Sequence, residues 1–249
     1  MIRDCVQRAY AGLFALAVTI LVSGPPAFGQ AIVELHLVLA FDVSASINDE
    51  EFDLQRSGLA RAFRDPAVQT AIAKAPGGIA VSIIQWSSIS RQALGLNWTK
   101  LDDAASTEAF ADAVDAMPRL LPGGGTMIHA GLAFAARMLD DAPGWARRRV
   151  IDVSGNGVSD DLEKTREQRD LIVASGVTIN GLAIEELKQN LTAYYREDVI
   201  GGNDAFVITA MDFEDFQEAM QRKLLREISG SLSAQGRGAG GCACLSPSF

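Results

Sequence analysis

Residues 37–52 read LVLAFDVSASINDEEF. An apolar run, Leu37 to Phe41, ends at Asp42, and hydroxyls follow at alternate positions, Ser44 and Ser46, before an acidic segment opens at Asn48. Extended upstream to Ile32, the run is apolar on both faces, with Leu35, Leu37, Leu39 and Phe41 on one and Val38 and Ala40 on the other. A strand with no polar face needs cover on both sides, which is the situation of a central strand in a parallel sheet flanked by helices. Asn48 with Glu51 has the form of a capping box, and Phe52, Leu59 and Phe63 recur at helical spacing until Pro66, which reads as an interruption of the pattern.

Working outward, GIAVSIIQW (78–86) is a strand, and RQALGLNW (91–98) follows so closely that the two form a hairpin with an antiparallel edge strand. Helical patterns cover 102–117 and 127–139, separated by the loop Pro118-Arg-Leu-Leu-Pro-Gly-Gly-Gly-Thr126. Strands at 150–154, 177–184 and 205–210 alternate with helices at 160–174, 187–199 and 212–228. This order predicts an α/β fold: a doubly wound, mostly parallel central sheet with one antiparallel edge strand and helices on both faces, Rossmann-like in its winding. Ligands of such sheets sit beyond the carboxyl ends of the strands, where the opening stretch lies.

The chain's 249 residues divide into three expected regions. Residues 1–29 have the form of a cleaved signal peptide: Arg3 and Arg8, an apolar run from Ala9 to Val22, a Ser-Gly-Pro-Pro break, and small residues Ala27 and Gly29 at the cleavage positions. The alternative, an uncleaved membrane anchor, is disfavoured because the run of about 14 residues is short of the ~20 that span a bilayer, and after cleavage no stable membrane insertion is expected. Residues 30–229 are expected to form one domain with a full core, two small domains being the alternative. Residues 230–249, rich in Gly, Ser and Ala, read as a disordered tail. Loss of the leader removes two arginines and one aspartate and moves the net charge from −9 to −10. An acidic exported protein is a poor partner for nucleic acid. Cys242 and Cys244, in the tail, make no disulfide framework, and without further ligands nearby they read as incidental thiols.

A carboxylate and two hydroxyls at alternate positions on a tight turn can direct their oxygens to one point. Such a set suits the hard cations Mg²⁺ or Mn²⁺, with Ca²⁺ also compatible, and disfavours zinc and copper. Asp and Ser also cap helices, so the triplet alone leaves a structural reading open. Its setting adds weight: it ends the first strand of an α/β chain, and Gly123-Gly124-Gly125-Thr126 arrives at the start of a later helix.

Here the sequence resembles the von Willebrand factor A (VWA) domain over nearly all of residues 32–229. Asp42, Ser44 and Ser46 match the Asp-x-Ser-x-Ser of that family's metal-ion-dependent adhesion site (MIDAS), and Thr126, followed by Gly131 and Leu132, matches its threonine loop. The finer pattern, with Trp86, Leu96-Asn97-Trp98-Thr99 and Val150-Ile-Asp-Val-Ser-Gly155, looks like an exported bacterial branch of unknown function. The family's last ligand is an aspartate before glycine; here the position falls on Asn156, an amide without charge. Asp152, two residues deeper than Ser154, reads as a hydrogen-bonded core acid.

The resemblance implies a metal site of Asp42, Ser44, Ser46, Thr126 and Asn156 with one position completed by a carboxylate from a protein or peptide partner. The expected function is a non-enzymatic, divalent-cation-dependent protein-binding module for adhesion or assembly, periplasmic or secreted. Two alternatives stand beside it, an exported metal-dependent hydrolase and a metal-free VWA-like scaffold. No general base is evident near Asp42 or Thr126, and no Gly-x-Ser-x-Gly elbow, Walker loop or His-Glu-x-x-His occurs. His36 and His129 read as packing or surface residues, Asp160 and Asp161 as helix-capping acids, and Arg147 to Arg149 as neutralising the end of the preceding helix. Gly236-x-Gly238-x-x-Gly241 has no strand before it and reads as tail.

Overall fold

The computed structural model describes residues 32–186 and 190–235. The leader, Cys242, Cys244 and the glycines from Gly236 lie outside the described residues. The strand of the opening stretch is β1, Ile32–Asp42, and every residue after Ile32 in it is buried. Its two apolar faces enter two separate cores. Leu35, Leu37, Leu39 and Phe41 meet α1 (Asp49–Arg64), α2 (Pro66–Lys74), α3 (Ala104–Asp115) and α7 (Phe216–Gln235) on one side. Val38 and Ala40 meet α4 (Ile128–Asp140), α5 (Leu162–Ala174) and the short α6 (Leu191–Tyr194) with its π-helical turn Tyr195–Val199 on the other. Each fully buried Leu or Phe contributes roughly 2 kcal/mol of transfer free energy, so no register shift of β1 is tolerated.

The remaining strands are β2 (Ile79–Trp86), β3 (Gln92–Leu101), β4 (Trp145–Gly155), β5 (Thr178–Ile184) and β6 (Val207–Ala210), in the sheet order β3-β2-β1-β4-β5-β6. All neighbours are parallel except the β2–β3 hairpin, which puts the antiparallel strand at one edge as the short connection requires. The winding reverses between β1 and β4. The crevice beyond the carboxyl ends of these two strands is therefore the topological switch point of the sheet.

Several local readings differ from the structure. Pro66 starts a helix: Asp65 accepts from Ala67 and Val68 N–H, and proline at the first helical position lacks only a donor that has no helical partner. β4 begins at Trp145, so Arg147, Arg148 and Arg149 are strand residues. Of these only Arg149 reaches the preceding helix, at Asp140 (2.7 Å); Arg147 pairs with Glu34 and Arg148 donates to the Glu227 carbonyl. Finally, α7 continues to Gln235, beyond residue 228 where the apolar spacing fades.

Asp152 is a buried ionic residue. Its Oδ1 lies 3.0 Å from Nζ of Lys223 on α7, which also holds Glu227 Oε1 at 2.9 Å, all three side chains being inaccessible to solvent. Asn180 of β5 donates to the same Glu227 oxygen and accepts from Phe206 N–H. This network fastens α7 to β4 and β5.

Candidate metal centre

Two loops and one strand end meet at the switch point. The β1–α1 turn begins with Asp42, whose Oδ1 accepts the Ser44 N–H at 2.7 Å, and the Ser44 and Ser46 hydroxyls share a hydrogen bond of 3.1 Å. Ser46 donates to Asn156 Oδ1 at 2.7 Å, and Asn156 Nδ2 donates to the Ser46 carbonyl at 3.2 Å. Asn156 lies one residue beyond β4, so the β1 turn and the β4 exit are linked side chain to side chain. The glycine-rich loop closes the third side: Ala45 N–H donates to the Gly124 carbonyl at 2.8 Å, and Gly123 approaches so closely that an added Cβ would sit 3.1 Å from Ala45 Cα. Thr126 follows, next to Gly157, where an added Cβ would be 3.8 Å from the Thr126 hydroxyl. Hydrogen bonds thus link Asp42, Ser44, Ser46 and Asn156, and Thr126 stands beside the β4 exit at Gly157.

Exposure grades across the cluster. Asp42, Ser44 and Asn156 are buried, Thr126 is half-buried, and Ser46 is exposed, so the cluster opens to solvent at its rim. Burial lifts the Asp42 carboxyl from its ordinary 3.8 to about 6; its hydrogen bonds from Ser44 and the nearby Arg119 charge work against this, and the Asp160 charge adds to it. Among the described residues Oδ2 of Asp42 has no hydrogen-bond partner, nor has the buried Tyr195 hydroxyl, and a Cβ on Gly155 would come within 2.8 Å of both. A desolvated carboxylate without an ion-pair partner is the group that gains most from a cation. The donors here are one carboxylate, three hydroxyls and an amide oxygen, all hard oxygens. Among the described residues no group of three or more His, Cys, Asp or Glu is placed to hold a metal.

Other residues shape the cluster in ways that local sequence does not show. Arg119 donates to the carbonyls of Val43 (3.2 Å) and Ile47 (2.8 Å) and pairs with Asp49, holding the β1–α1 turn from outside. Asp160 is not a helix cap. Asp161 fills that role by accepting from Lys164 N–H, whereas Asp160 Oδ2 accepts from Thr126 N–H at 2.7 Å and its own N–H donates to the Thr126 carbonyl at 2.9 Å. Gly131, in α4, faces Trp86, where an added Cβ would lie 2.7 Å from the indole; its absence lets α4 settle on β2. His36 packs against Trp98 at 5.3 Å and His129 is buried in α4, neither hydrogen-bonded to the cluster.

A mixed six-stranded sheet of this order, covered on both faces, is the fold of the von Willebrand factor A domain. It is shared with the pilus adhesin SpaC of Lactobacillus rhamnosus GG (TM-score 0.58, 14% identity, covering 79% of this chain and 31% of that one). The vWF domain of the type V pili tip protein Mfa5 from Porphyromonas gingivalis is similar over 85% of this chain and 98% of its own (TM-score 0.55, 10% identity). So is proximal thread matrix protein 1 from the mussel byssus, in a structure with a zinc-occupied MIDAS motif (TM-score 0.54, 16% identity, 80% of this chain and 47% of that one). The chain spans less than half the length of SpaC and of the mussel protein. The chain belongs to the family described as "Protein of unknown function (DUF1194)", which matches residues 32–232. No curated protein is significantly similar to it.

Proposed function

We propose that the protein is an extracytoplasmic, divalent-cation-dependent protein-binding module. Asp42, Ser44, Ser46, Thr126 and Asn156 would hold Mg²⁺ or Mn²⁺, and Ca²⁺ is also compatible with their hard oxygens. Bound there, the cation supplies a positive centre that a carboxylate of a protein or peptide partner can complete. The observation that carries this reading is the buried Asp42 carboxylate, whose Oδ2 has no hydrogen-bond partner among the described residues, at the base of a chain of hydroxyls reaching the surface. Arg119 and Asn156 hold those hydroxyls in place, so the turn needs little rearrangement to act as a ligand set.

The pilus proteins of the same fold support an adhesion or assembly role outside the cytoplasm, and the leader-like residues 1–29 support export. Among the described residues no helix is long and apolar enough to cross a membrane. The net charge of −9 argues against a nucleic-acid partner. The test is calorimetric titration of the protein with Mg²⁺, Mn²⁺ and Ca²⁺, beside Asp42→Ala. Heat of binding in the parent and none in the folded variant is expected; silence of the parent with all three ions would leave only the scaffold.

A further inference from the structure

We propose that Asp160 is the second carboxylate of the cation site, taking over from four residues downstream the charge that Asn156 lacks; this rests on the metal reading above. Asp160 is fastened to Thr126 in both directions along the backbone, through its Oδ2 and its own N–H. The loop is shaped around it: a Cβ on Gly125 would lie 2.6 Å from that oxygen, so only glycine leaves the carboxylate its place beside Thr126. Among the described residues nothing donates a hydrogen bond to its other oxygen, Oδ1, and no arginine or lysine pairs with it; the side chain is exposed to solvent. The following helix does not need it, since Asp161 is the cap. A second, independent observation points to a ligand: Asp42, in the same cluster, is inaccessible to solvent and its Oδ2 has no partner.

Two anions are thus kept near each other across the cluster, one buried and one at the rim, with neither ion-paired. Without a cation they only repel; with one, both attractions add. Asn156 then serves to fasten Ser46, a role a neutral amide fills better than a carboxylate because it donates as well as accepts.

Mn²⁺ titration of the full chain tests this. Asp160→Asn retains an acceptor for Thr126 N–H and removes only the charge, and it should raise the Mn²⁺ Kd about tenfold or more. Asp160→Glu should stay close to the parent, and the double variant Asn156→Asp with Asp160→Asn should recover most of the loss. Melting in chelator guards against a folding defect, and a measurement on the parent alone stands beside the variants: on adding Mg²⁺, the carboxyl ¹³C resonances of both Asp42 and Asp160 should shift together. A parent-like Kd in Asp160→Asn, or an Asp160 carboxyl resonance that stays still while that of Asp42 moves, would overturn the assignment and leave the metal reading standing. Failure of the parent to bind any of the ions would instead overturn the metal reading itself.

Discussion

Ser46 and Asn156, 110 residues apart, hold each other through two hydrogen bonds: hydroxyl to Oδ1 at 2.7 Å and Nδ2 to the Ser46 carbonyl at 3.2 Å. The second bond is one that an ionised aspartate cannot make. It joins the turn after β1 to the exit of β4 across the switch point, which is where an aspartate would stand if the family's usual pattern were followed.

Asn156→Asp should therefore reverse sign with metal. In chelator it loses the donor to Ser46 and adds an anion beside buried Asp42, costing about 1–2 kcal/mol, or a few degrees in Tm for a domain of this size. In excess Mg²⁺ or Mn²⁺ the added charge strengthens binding, and linkage raises Tm above that of the parent under the same conditions. Thermal denaturation in both buffers reads the result. Unchanged cation affinity would remove Asn156 from the site.

Asp42 gives a pH signature. Its folded carboxyl titrates near 6 against an ordinary 3.8, so the native state keeps its proton to higher pH than the unfolded chain does. Below 3.8 both states are protonated and there is no penalty; as pH rises through about 6 the metal-free protein loses at most about 3 kcal/mol from this group. Asp42→Asn should remove that pH dependence and melt higher than the parent at pH 7 in chelator, while no longer binding the cation. For the parent, cation affinity should fall about tenfold per pH unit below 6, because the ligand must be ionised. A parent and variant with parallel stability profiles from pH 4 to 7 would show that Asp42 is not desolvated as described.

What the sequence made legible follows from how local each signal is. The two-faced run of β1, the Asn48–Glu51 capping box and the hairpin at the sheet edge are set by residues a few positions apart, and all three are present. Asp65-Pro66 was equally local but ambiguous, since proline ends one helix and suits the first turn of the next. The roles of Asp160 and Arg119 depend on contacts spanning 34 and 72 residues. Nothing in Ser159-Asp160-Asp161 tells which aspartate faces the helix and which faces Thr126. Gly131 shows the same limit: its place after the threonine loop was visible, but its reason is an indole 45 residues away in the chain.

Gly131→Ala separates helix propensity from packing. Alanine gains about 1 kcal/mol in a helix interior. The new Cβ would sit 2.7 Å from Trp86 Cγ, and Trp86 cannot retreat because it is buried and its indole N–H donates to the Ala40 carbonyl at 3.2 Å. Overpacking of this kind costs about 1–3 kcal/mol, so packing wins and Tm should fall. α4 begins just after Thr126, so its displacement should also weaken cation binding. A higher Tm with unchanged affinity would mean that α4 shifts freely on β2.

Lys223 provides the control in which fold and site part company. Its ammonium is enclosed by Asp152 and Glu227 and stands 4.6 Å from the Phe206 ring centre. Lys223→Met leaves two carboxyls in the core without their cation, and removing one partner of a buried ionic group costs about 3–5 kcal/mol. Burial already holds the Asp152 carboxyl above its ordinary value against the pull of Lys223. With the lysine gone the native state binds protons more strongly still, so the variant should regain stability as pH falls from 8 to 5. Combining Lys223→Met with Asp152→Asn and Glu227→Gln should recover most of the loss at pH 8, since no buried charge then remains. Urea denaturation at the two pH values reads both effects, and cation titration of the folded triple variant should match the parent, because none of the three side chains bonds to a residue of the Asp42 cluster. A triple variant as unstable as the single one would show that the network's hydrogen bonds, rather than its charge balance, hold α7 to the sheet.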